Sequence, residues 1–133
     1  MFSSELDILA LYGLFVCLTL LAQVTGAATQ FDMGYLLSSR DEKRTLEGMV
    51  GRLDRALTNS VTAMALFAPA VLLVFAKDAS SHLTLICAQV FLIARVLYVP
   101  AYVFNLVGIR TLLWLAGFAT TIGLYILSLF ASV

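Results

Sequence analysis

The sequence predicts an all-α membrane protein: one domain spanning residues 1–133, built as a bundle of four transmembrane helices. Three observations predict it. Hydrophobic residues make up 62% of the chain, where soluble domains hold about 45–50% even with glycine counted. Charged residues make up only 12%, against roughly 25% in soluble domains. Four stretches free of Asp, Glu, Lys and Arg, one broken by a single arginine, approach or exceed the roughly 20 residues that cross a bilayer. A soluble domain this small could not hide so much apolar surface. Disorder requires the opposite composition. The net charge of zero gives no reason to expect a nucleic-acid partner.

The first charge-free stretch covers residues 8–31 and predicts a helix over 6–30. The start of the chain is acidic (Glu5, Asp7), whereas a signal peptide has a basic leading region, so this helix is expected to be retained. Residues 31–53 form the one long loop, and most of the charge lies between Asp32 and Arg55. The second stretch, 56–76, predicts a helix over 54–76. The third runs over 79–94 and 96–109, broken only by Arg95, and predicts 80–107. The fourth, 111–133, predicts 111–132. Consecutive apolar positions such as Leu14 to Leu18 suit a helix in lipid and not the alternating strands of a membrane barrel. The Lys/Arg-rich loop belongs in the cytoplasm. Arg110 then falls on the same side, and both termini face away from the cytoplasm. The short chain and the retained first helix suit a bacterial inner membrane, with lipid as the surrounding partner.

Cys17 and Cys87 lie mid-span, and the chain has no metal-type spacing, so they read as small apolar residues and no metal is expected. His82, the only histidine, reads as a surface residue at the second turn. Neither an internal repeat nor a phosphate-binding glycine loop occurs.

Polar groups inside a span are costly and are kept for function or for helix pairing. Two clusters qualify. Arg52, Arg55, Asn59 and Thr62 recur at spacings of three, four and three, which places them on one stripe of the second helix. Arg52 reads as a snorkelling anchor, and Arg55 with Asn59 as a binding pair. In the third helix, Arg95, Tyr98 and Tyr102 share a face, with Pro100 between the tyrosines. A mid-span guanidinium cannot lose its proton and needs an acceptor. The sequence offers Asp54, Glu47 or Asp7, with Asp54 as the structural tie, or else a bound anion. Arg110 and Thr111 open the fourth helix at the level of Arg52 and Arg55, where a helix start favours an anion.

These clusters, in this order, resemble the MAPEG superfamily, the membrane-associated proteins of eicosanoid and glutathione metabolism. Gly51-Arg52-Leu53-Asp54-Arg55-Ala56-Leu57-Thr58-Asn59 looks like the family's Arg-Ala-x-x-Asn signature. Ala94-Arg95-Val96-Leu97-Tyr98-Val99-Pro100-Ala101-Tyr102 is similar to its Arg-x-x-Tyr-x-Pro-x-Tyr segment, and Ile109-Arg110-Thr111-Leu112-Leu113-Trp114 resembles the turn into its last helix. The resemblance implies a homotrimer with glutathione as co-substrate in a cleft between subunits, and transferase or peroxidase activity on lipophilic electrophiles. It implies that Arg52, Arg55, Asn59, Thr62, Arg95, Tyr98 and Tyr102 line the binding site, with Arg110 and Thr111 beside the sulfur. Thr62 stands where the family usually has a glutamate, and Thr58 where some members have an arginine. The alternative is a non-catalytic member that binds a hydrophobic ligand or serves as an accessory subunit of a larger membrane complex. A third reading is an unrelated four-span transporter or structural protein.

Overall fold

The computed structural model describes residues 3–131. Four long helices carry the fold: α1 (Glu5–Gln30), α3 (Gly48–Ala76), α4 (His82–Val103) and α5 (Val107–Phe130), with a one-turn helix α2 (Met33–Leu36) in the long loop. All four long helices have the length and hydropathy to cross a membrane, and the protein is an integral membrane protein. The short connections make α3, α4 and α5 successive antiparallel neighbours, and α1 packs against α3 and α4. The predicted end of the last helix at 132 lies outside the described residues.

Each helix start has a local cause. Ser4 accepts from the Asp7 amide to cap α1, and Asp32 caps α2 through the Tyr35 amide. Ser81 and Thr84 form a reciprocal capping box at the start of α4. Three helix boundaries differ from the expectation by four residues or more: the start of α3, the end of α4 and the start of α5. α3 starts at Gly48 rather than 54, so Arg52, Asp54 and Arg55 stand in its opening turns and not at its edge. Gly51 permits this: a Cβ there would collide with the Leu46 carbonyl as the loop folds back. α4 stops at Val103 rather than 107, because Asn105 adopts a left-handed conformation (φ 59°) that ends the helix, and α5 begins at Val107. The unforeseen α2 turn sits within residues that otherwise read as solvated loop.

The core lies toward the end opposite the long loop. Phe67 of α3 and Phe91 of α4 stack nearly parallel, and Tyr12 of α1 meets both edge-on. Ile8, Val71, Val74 and Leu124 complete this cluster. At that same end Glu5 is buried. Thr84 and Ser80 hydroxyls donate to its carboxylate, which ties the start of α1 to the start of α4. His82 is exposed as the first residue of α4, and both cysteines are free.

Candidate functional site

Near the middle of α4, Arg95 is the largest fully buried side chain, 2% exposed. Its Nη2 donates to Asn59 Oδ1 of α3 at 2.7 Å, and its guanidinium lies 4.3 Å above the Tyr98 ring. Its Nε has no hydrogen-bond partner. The stem runs over Gly117 of α5, where an added Cβ would stand only 3.0 Å from Arg95 Cδ. Glycine at that position therefore admits the arginine between the helices.

None of the acids expected to pair with Arg95 does so. Asp54 accepts from Gln23 Nε2 of α1 at 2.9 Å, on another face of α3. Glu47 stands at the exposed start of α3, with its backbone bonded to Gln30. Asp7 lies in the first turn of α1, at the far end of the bundle. Among the described residues, the ion pairs are those of Arg44 with Asp32 and Glu42 in the loop. The hydrogen bond to Glu42 holds the exposed Arg44 guanidinium above its already high ordinary pKa.

The polar stripe of α3 fans out to separate destinations. Arg52 Nε donates to the Val103 carbonyl at 2.7 Å and so satisfies the end of α4. Arg55 is exposed and opens on a polar cavity of about 390 Å³ beneath the long loop, shared with Asp54, Gln23, Arg40 and Arg44. Asn59 turns to Arg95. Thr62 donates to the Thr58 carbonyl and borders a small cavity with Asn59, Arg95, Trp114 and Thr121. That cavity, about 70 Å³, is walled mainly by apolar groups such as Leu66 and Phe118.

Toward the loop end, Arg95 begins a ladder of cations and rings. Tyr98 lies 5.7 Å from Tyr102, and Arg110 of α5 stands 4.4 Å over Tyr102. Arg110 is half-buried, and with Tyr98, Thr111 and Trp114 it lines a second cavity. Thr111 donates to the Val107 carbonyl one turn back. Trp114 borders both cavities. Of the predicted site residues, the fold thus brings together Asn59, Thr62, Arg95, Tyr98, Tyr102, Arg110 and Thr111. It sends Arg52 to a helix end and Arg55 to the loop cavity. Sequence reasoning missed Gly117 and Trp114 as site residues. A glycine inside a long apolar helix was the available signal for the first. Among the described residues, no group of three or more His, Cys, Asp or Glu is placed to hold a metal.

Comparison with known proteins places the chain in a family. The family model described as the MAPEG family matches residues 8–130. Neither curated proteins nor solved structures return a match. On the family match, which covers nearly the whole chain, the protein belongs to the MAPEG family.

Proposed function

We propose that this MAPEG-family membrane protein binds a thiol of the glutathione class at the loop end of the bundle and delivers its thiolate to lipophilic electrophiles. The observation that carries the reading is the ladder Arg95–Tyr98–Tyr102–Arg110, two guanidiniums standing on two adjoining rings inside the apolar part of the chain. Such an array suits an anionic ligand: Arg95 offers an unpartnered donor, and arginine binds carboxylate in two-pronged fashion. Arg55, which among the described residues has no hydrogen-bond acceptor, adds a donor from the loop cavity. The loop end is the cytoplasmic side in this reading, and a homotrimer closes the site between subunits.

Arg110 supplies the chemistry. A thiol with a pKa near 8.5 is mostly protonated at neutral pH. A fixed cation beside it lowers that value and raises the thiolate fraction. The thiolate sulfur then bonds to an electrophilic carbon while the leaving group departs with its electron pair. With a lipid hydroperoxide, sulfur attacks the distal oxygen and the O–O bond breaks, giving a sulfenic acid and an alkoxide that takes a proton; a second thiol then displaces water from the sulfenic acid to close the disulfide. Thr111 is the hydroxyl closest in sequence to Arg110 and borders the same cavity.

Millimolar glutathione should raise the melting temperature of the protein in detergent, and the protein should conjugate a chlorinated nitrobenzene. Arg110→Ala should depress thiolate formation more than binding, and Arg55→Ala the reverse. No melting shift together with no conjugation would overturn the reading. A second reading, a non-catalytic member that holds a hydrophobic ligand or joins a larger complex, draws on one observation: no carboxylate lines the Asn59–Arg95 cavity. Binding without conjugation would select it.

A further inference from the structure

The chain holds eight acidic side chains, and every one is placed away from Arg95. Glu5 is bonded by Thr84 and Ser80 at the opposite end of the bundle. Asp7 and Asp78 are exposed at that end. Asp32 and Glu42 pair with Arg44, and Asp41 accepts from Ser39. Glu47 stands exposed at the start of α3, and Asp54 is engaged by Gln23. Neither the Asn59–Arg95 cavity nor the Arg110 cavity is lined by an acid. Arg95 is thus a 98%-buried cation whose polar neighbours are neutral, the Asn59 amide oxygen and the Tyr12 hydroxyl, and whose Nε is unpartnered. A buried charge left without its counter-charge is costly.

We infer that this site selects anions that carry no cationic group, so that its matching thiol is a glutathione-like peptide whose amino group is acylated or absent. The inference rests on the thiol reading above and specifies its ligand. A ligand carboxylate gives Arg95 the counter-charge it lacks. A ligand ammonium entering the same cavity would shed its water beside Arg95, with only neutral oxygens from Asn59, Thr62 and Thr121 to receive it. Thr62 sets the rule because it is exposed on the cavity rim, where a carboxylate side chain would reverse the local charge.

The test is titration of the purified full-length protein, in an uncharged detergent, with glutathione and with N-acetylglutathione. These probes differ by one ammonium. Wild type should bind the acetylated peptide roughly tenfold more tightly, since like-charge juxtaposition is strongly disfavoured. Thr62→Glu should abolish or invert that order, and the neutral, equally long Thr62→Gln should retain it. If Thr62→Glu fails to fold, Arg95→Gln takes its place and should level the two affinities. Equal binding, or a preference for glutathione by wild type, overturns the inference. If neither peptide binds, the thiol reading falls, and decyl phosphate against decylphosphocholine decides the charge rule. Tighter binding of the phosphate upholds it; equal or tighter binding of the phosphocholine overturns it.

Discussion

Among the described residues the bundle buries two charged side chains, Glu5 at the end away from the loop and Arg95 near the middle of α4, and treats them in opposite ways. At the end away from the loop, Glu5 is enclosed by hydroxyls of Thr84 and Ser80, and Thr84 also belongs to the capping box of α4. Its carboxylate is an internal fastening whose partners are all supplied by the chain. Toward the loop, Arg95 donates one bond to Asn59, rests on the Tyr98 ring, and leaves Nε without a partner. Buried polar groups in native proteins are nearly always satisfied. An arrangement that satisfies one ion fully and the other in part therefore separates what holds the helices together from what remains for a ligand.

The largest expected effect lies at the fastened end. Phe91→Ala removes a ring that stacks on Phe67 and receives the edge of Tyr12. Removing such a ring from a water-soluble core costs about 3–5 kcal/mol. The cost here should be roughly 2–3 kcal/mol, because lipid weakens the hydrophobic part and leaves the packing part. Chemical unfolding in mixed micelles measures it. Glu5→Ala should come next, at about 1–3 kcal/mol, since the buried Thr84 hydroxyl loses its carboxylate acceptor. A cost near zero would show that Glu5 is not the fastening described. Arg52→Ala should cost less, about 0.5–1.5 kcal/mol, by leaving the Val103 carbonyl at the end of α4 without its donor. Amide hydrogen exchange should then quicken in the last turn of α4, and unchanged exchange there would remove Arg52 from that role.

The same contrast explains what could be read from the sequence. The four spans follow from composition alone, because lipid demands long charge-free runs and the chain contains four. Arg95 and Asn59 stand out individually for the same reason, as polar groups where lipid disfavours them. Their partnership does not follow. Whether Arg95 meets Asn59 or Asp54 depends on the rotation of α3 against α4, and spacing along one helix carries no information about its neighbour. The stripe Arg52–Arg55–Asn59–Thr62 shows the limit clearly. Its members share a helix face, yet long side chains carry Arg52 to Val103 and Arg55 to the loop cavity. The helix ends were misplaced where backbone conformation decides them: at Gly51, which lets Leu46 approach, and at Asn105, whose positive φ stops α4 early. Gly117 escaped notice because its role is the space it leaves for the stem of Arg95.

The central claim is that the Arg95–Asn59 pair is kept for a ligand and not for stability. The smallest expected stability effect tests it most directly. In the double variant Arg95→Met with Asn59→Leu, both partners become apolar groups of similar size, a change that is nearly neutral where no bond is left half-made. Melting of this variant and of wild type should be followed in an uncharged detergent, with and without a saturating N-acetylglutathione or glutathione addition. The account predicts an unliganded stability within about 1 kcal/mol of wild type, or higher, and loss of the ligand-induced rise. A variant that melts far below wild type while still responding to the peptide as wild type does would contradict it.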